Sequence, residues 1–203
     1  MKRPYIPVLA LAIALLSFHA ALAQSNPPAP QPAPAPAGVR AEALNELAGL
    51  ENHFVRLAEA VPADKYTWRP AEGVRSISET FLHTAAANFN LPRRLGAQPP
   101  AGFDVRGFDK STTDKAKVVQ ALKDSFAHAR QAFLNLPDAD LEKKVDWIGG
   151  SQNTCRGVMI FMLRHLGEHL GQSIAYARMN GVAPPWTEEQ QRQQQKAPEK
   201  PKS

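Results

Sequence analysis

The chain has 203 residues, of which 24 are lysine or arginine and 19 are acidic, giving a formal net charge of +5. Without Lys2 and Arg3, which fall in the leader described below, 22 basic residues face those 19, and no basic block is interleaved with aromatic residues. This composition argues against nucleic acid as a partner. Cys155 is the only cysteine, so an intramolecular disulfide is excluded and a hydrophobic core must hold the fold together.

Residues 1–23 have the pattern of a signal peptide. Lys2 and Arg3 supply positive charge, an apolar run follows at residues 8–18, and Ala-Leu-Ala at 21–23 forms a small-x-small cleavage site. The apolar run is shorter than the roughly 20 residues that cross a bilayer, which disfavours the alternative of an uncleaved anchor. We therefore expect a periplasmic or extracellular protein that begins at Gln24 and keeps no membrane span.

Composition divides the remaining chain into three parts. Residues 24–38 are rich in proline and alanine and predict an extended linker. Residues 39–187 carry the regular apolar spacing of one domain, long enough for a single core. Residues 188–203 are a polar stretch of glutamine, lysine and proline that predicts a disordered tail.

Apolar residues at steps of three and four predict four helices, at about residues 39–61, 76–91, 114–136 and 154–180. Ser76 and Glu79 form a capping-box pattern at the start of the second helix, and Gly181 is a stop signal after the fourth. No strand is predicted, and residues 137–150 are interpreted as a loop packed over the helices. The fold class is therefore all-α, a four-helix bundle with a long connection at residues 96–113.

The fourth helix carries His165 and His169, four residues apart. This spacing places both imidazoles on one helix face, where they could bind one metal ion together with a third ligand from elsewhere. His53, His83 and His128 are the candidates for that ligand. His83 lies beside the apolar stripe of its helix, so periodicity favours it slightly and leaves the choice open.

The chain resembles the DinB-like superfamily, which includes the YfiT-type hydrolases and thiol-dependent transferases. The resemblance runs from residue 39 to residue 186. It rests on Trp-Arg-Pro-Ala-Glu-Gly at 68–73, Phe-Leu-His-Thr at 81–84, the His165-x3-His169-x-Gly-Gln172 stretch, and Asn-Gly-Val-Ala-Pro-Pro at 180–185. It implies a four-helix bundle in which His83, His165 and His169 bind a divalent metal, and it also implies a homodimer.

Three imidazoles suit Zn²⁺ best, and they also accept Ni²⁺, Fe²⁺ or Mn²⁺. With one open position, such a site would serve a metal-dependent hydrolase or transferase that acts on a small molecule. The alternative is a non-catalytic metal- or ligand-binding module of the cell envelope, which a closed site without a pocket would favour. Gln172 lies on the side of His169 and could orient it, or could bond a neighbouring helix. Glu168 points about 100° away, towards the surface or the edge of the site.

Overall fold

A computed structural model describes residues 37–196, except for the side chains of residues 188, 191 and 193–196. The predicted signal peptide and most of the linker lie outside these residues. Four long helices form the framework: α1 (Gly38–Ala60), α2 (Ile77–Asn90), α3 (Lys115–Asn135) and α4 (Cys155–Met179). The four predicted helices are confirmed, with boundaries within about two residues of those predicted.

The four helices form an all-α bundle. Helices α1 and α2 each pack against both α3 and α4, so α1 and α2 lie on opposite corners. The core between them is aromatic at its centre, where the ring of Phe54 lies 5.7 Å from Phe126 and 6.5 Å from Phe81. All three rings are almost completely buried. Burying this apolar surface is the main stabilising contribution to the bundle.

Local signals explain where the helices begin and end. The Ser76 hydroxyl accepts a hydrogen bond from the Glu79 backbone N–H, and the Glu79 carboxylate accepts one from the Ser76 N–H, so the predicted capping box is formed. At the end of α4, Gly181 adopts a φ of 75°, which a residue with a side chain rarely does. The Val182 N–H then bonds back to the Ala177 carbonyl and closes the helix.

The prediction that no strand is present was wrong. The strands β1 (Lys144–Asp146) and β2 (Gln152–Thr154) pair antiparallel, with Val145 opposite Asn153. Three-residue strands are too short to show the alternation from which a strand is recognised in sequence. The hairpin does lie over the bundle as predicted, because the Trp147 ring contacts the edge of Phe161 on α4 at 4.9 Å.

Part of the segment predicted as a disordered tail is also helical. Helix α5 (Pro185–Lys196) includes residues 188–196, while residues 197–203 lie outside the described part of the chain. Proline is favoured in the first turn of a helix, where its missing N–H is no loss. The Trp186 ring lies 4.3 Å from His53 on α1, and Arg56 forms an ion pair with Glu189. No helix among residues 37–196 is both long and apolar enough to cross a membrane.

Candidate metal centre

Three histidine side chains meet between α2 and α4. His83 comes from α2, and His165 and His169 come from successive turns of α4. One ring nitrogen from each lies within 4.8 Å of the other two, and all three residues are half-buried. The ring centroids are 4.5 to 5.3 Å apart. Nitrogens bound tetrahedrally to one Zn²⁺ would be about 3.3 Å apart, so small side-chain movements would complete the arrangement.

The apolar pattern of each helix directs these side chains inward. On α2, Phe81 and Leu82 are buried and set the rotation of the helix, which turns His83 towards α4. On α4, Leu166 and Leu170 each follow a histidine and are also buried. The two helices are packed directly against each other. Helix packing therefore brings His83, of the three candidates His53, His83 and His128, beside His165 and His169, which periodicity alone does not resolve.

A chain of two hydrogen bonds orients His169. The Gln172 side-chain amide donates to the Tyr176 hydroxyl at 2.8 Å, which leaves its carbonyl oxygen, Oε1, 2.8 Å from Nδ1 of His169. Since Oε1 can only accept, Nδ1 must carry the proton in this arrangement. The lone pair of His169 is then on Nε2. Gln172 is thus hydrogen-bonded to His169 and Tyr176, both on its own helix.

The environment keeps the other two histidines neutral. Burial lowers the pKa of His83 to about 4, assisted by the positive charge of Arg75 and by the neighbouring imidazoles. Burial, followed by the presence of His169, lowers the pKa of His165 to about 4 as well. Both side chains are therefore unprotonated at neutral pH, the form that can donate a lone pair to a metal ion.

His165 has an unsatisfied polar atom. Its Nδ1 is buried and has no hydrogen-bond partner among the described residues. A buried polar group without a partner costs free energy, so such atoms are uncommon and call for an explanation. A ligand held between the three rings would supply one.

A cavity of about 440 Å³ opens beside the histidines, with His83 and His165 in its wall. The long connection between α2 and α3 contributes Val105, Gly107 and Asp109 to its lining. The hairpin contributes Ile148.

The sequence did not single out Arg75 and Asp109, which stand at the edge of this cavity. The Arg75 side chain donates its Nε–H to the Asp109 carboxylate at 3.4 Å. Both residues also line a second cavity, of about 540 Å³, that reaches Gln172. Two signals were available: Arg75 immediately precedes the cap of α2, and Asp109 lies in the long connection.

The remaining candidates lie away from the three rings. The Glu168 carboxylate forms an ion pair with Arg164 at 2.5 Å on the exposed face of α4, and 53 % of its side-chain surface is accessible. The His53 ring packs against Trp186 in a tilted arrangement. His128 packs against Phe89 at 5.7 Å, and burial lowers its pKa.

Comparison with known proteins gives a consistent result. Residues 46–173 match the DinB superfamily. A DinB-like protein from Bacillus cereus is similar in structure with a TM-score of 0.63 and 14 % identity, over 70 % of this chain and 93 % of the other. A DinB-like protein from Bacillus subtilis has a TM-score of 0.57 and 20 % identity over the same shares. A conserved protein from Enterococcus faecalis has a TM-score of 0.57 and 14 % identity, over 70 % and 97 %. No curated protein matches the chain.

Proposed function

The chain belongs to the DinB superfamily, and from this premise we propose that it binds one divalent metal ion through His83, His165 and His169. We propose further that it is a metal-dependent hydrolase or transferase that acts on a small molecule. The observation that carries the proposal is the convergence of three ring nitrogens from two helices within 4.8 Å, beside a cavity.

The donor set fits such an ion. All three candidate ligands are imidazoles, two of which have pKa values low enough to be neutral at pH 7. The third, His169, is held by Gln172 through Nδ1, which leaves Nε2 as the ring nitrogen that could bind the ion. Neutral imidazoles favour Zn²⁺, with Ni²⁺, Fe²⁺ and Mn²⁺ as further candidates. The buried, unpartnered Nδ1 of His165 supports a ligand at this position.

The residues around the site suggest how they would assist a reaction. A divalent ion on three imidazoles keeps its full 2+ charge and an open position, at which it can polarise a carbonyl or make bound water more acidic. Gln172 and Tyr176 would hold the His169 ring in place. Phe161 and Ile148, which line the cavity, would exclude bulk water from one side and contact apolar parts of a substrate.

The alternative is a binding module without catalysis. The cavity favours the enzyme, since a purely structural metal site has all its coordination positions filled by protein and needs no adjacent space. A volume of about 440 Å³ falls in the range of small-molecule pockets. We further propose that the protein is exported, on the pattern of charge, apolar run and small residues in its first 23 positions.

Metal titration tests the proposal directly. We expect the purified, metal-stripped protein to bind one equivalent of Zn²⁺ per chain, and His169→Ala to lose this binding. His53→Ala is the matched control, since it removes a half-buried imidazole that packs against Trp186 instead. If His169→Ala bound Zn²⁺ with unchanged stoichiometry and affinity, the proposed metal site would be refuted, and the proposed function with it.

A further inference from the structure

The cavity beside the histidines has two chemically different walls. One wall is apolar and is formed by Ala86, Leu91, Val105, Ile148 and Phe161. Val105 is 45 % exposed and Ile148 is 60 % exposed, although both side chains are large and apolar. They come from the two connections that flank the cavity, so they place apolar surface at its mouth. Such surface favours a ligand with an apolar portion.

The other wall carries the ion pair of Arg75 and Asp109, whose formal charges balance, so a positive excess arises only when the adjoining cavity is included. Arg69, Arg75 and Lys110 line this cavity or the adjoining one, against two carboxylates, Glu79 and Asp109. This is an excess of one positive charge before any metal ion is counted. A concave surface with an excess of one sign attracts ligands of the opposite sign.

Arg75 is the cation that faces the histidines. It lines the cavity together with His83 and His165. The Arg69 side chain already donates hydrogen bonds to the Val74 carbonyl and to the Glu79 carboxylate, so it is less available to a ligand. Arg75 instead uses its Nε–H in one long contact with Asp109. Among the described residues its two terminal Nη groups have no hydrogen-bond acceptor, and together they match the two oxygens of a carboxylate.

We propose that this cavity binds a small amphipathic carboxylate, with the carboxylate on the Nη groups of Arg75 and the apolar portion against Ile148 and Phe161. The inference rests on the proposed function, because it names the substrate class of the same site. A ligand anchored in this way would lie alongside His83 and His165. Arg75 would then bind the substrate and set its position relative to the histidines.

Two probe ligands with the same shape and different charge test the proposed carboxylate site. We would measure the affinity of the Zn²⁺-loaded protein for 4-phenylbutyrate and for its neutral amide by calorimetry. The acid is expected to bind at least tenfold more tightly, as a charge-assisted hydrogen bond implies. Arg75→Gln should weaken the acid about tenfold and leave the amide unchanged, and Arg75→Lys should keep part of the preference. Arg93→Gln removes the same charge from an exposed position that lines a neighbouring cavity, and should change neither affinity.

A second variant tests the apolar wall. Ile148→Ser should weaken the acid and the amide by the same factor, since the change lies on the portion that both probes share. Equal binding of the two probes by the wild type, or an acid preference that survives in Arg75→Gln, would overturn the proposal.

Failure of this inference and failure of the proposed function give different results. Zn²⁺ stoichiometry is measured on each variant before the probes are added. A protein that binds Zn²⁺ and does not prefer the acid refutes only the anion site. A protein that binds no Zn²⁺ refutes the metal site, and the two probes can then be compared on the metal-free protein, where Arg75 alone still predicts a preference for the acid.

Discussion

Replacing Gln172 with leucine should weaken the binding of the proposed metal ion. Gln172 is the link between His169 and Tyr176, with hydrogen bonds of 2.8 Å on each side. Leucine has a similar size and cannot accept the proton of His169 Nδ1. The ring would then be free to rotate and to exchange tautomers, and part of the binding free energy would be used to order it.

The expected magnitude follows from the two hydrogen bonds. Each neutral bond contributes about 0.5–1.5 kcal/mol net, so losing both amounts to about 1–3 kcal/mol. In an equilibrium constant this is roughly 5- to 150-fold, which overlaps the 10- to 100-fold loss that is usual when a partner of a metal-bound histidine is removed. The same two hydrogen bonds also stabilise the fold, so the free energy of unfolding should fall by up to the same amount, about 1–3 kcal/mol.

Competition with a chromophoric chelator would give the Zn²⁺ dissociation constant, and thermal unfolding of the metal-free protein would give the stability. Gln172→Glu should retain the affinity, because a carboxylate also accepts from Nδ1. Glu168→Gln is the matched control on the same helix, since Glu168 is paired with Arg164 on the exposed face. The reasoning is refuted if Gln172→Leu changes the affinity less than twofold, or if Glu168→Gln changes it as much.

Two further predictions concern the stability of the fold and the N-terminus. Burial alone would raise the pKa of Glu79, but the Ser76 N–H and Arg69 outweigh it and hold that pKa below its ordinary 4.5. Glu79→Gln should therefore have a lower free energy of unfolding than wild type at pH 7. This difference should vanish as the pH falls from 4.5 through the lowered pKa of Glu79. A difference in unfolding free energy that does not depend on pH would contradict the prediction. For export, mass spectrometry of the protein from a bacterial periplasm should find Gln24 at the N-terminus, whereas a chain that keeps Met1 would show that the leader is not cleaved.

The helices and two of the three clustered histidines could be predicted because they depend on local rules. The spacing of His165 and His169 fixes their common face whatever else the chain does, and the capping box at Ser76 fixes the start of α2. Selecting His83 required the way in which α2 and α4 pack. Periodicity places a residue on a face of its own helix and does not say which helix lies opposite.

The hairpin, α5 and the ion pair of Arg75 could not be predicted from local patterns. The hairpin has strands of three residues, and α5 is a polar helix that packs on α1 through Trp186. Arg75 and Asp109 are 34 positions apart and come together only because the long connection folds back over α2. Each of these features is decided by tertiary contacts, which override weak local preference.

The candidate ligands and the walls of the cavity depend on different parts of the fold. The three histidines are fixed by α2 and α4, whose buried faces leave little freedom to move. Val105, Gly107 and Ile148 come from connections, and Gly149 and Gly150 follow Ile148 with positive φ angles of 70° and 77°. Substitutions in these connections can therefore alter which molecule fits without disturbing the histidines. Arg75 belongs to both parts, because it precedes the cap of α2 and contacts Asp109 in the long connection, so changes in that connection can alter its position relative to the proposed metal ligands.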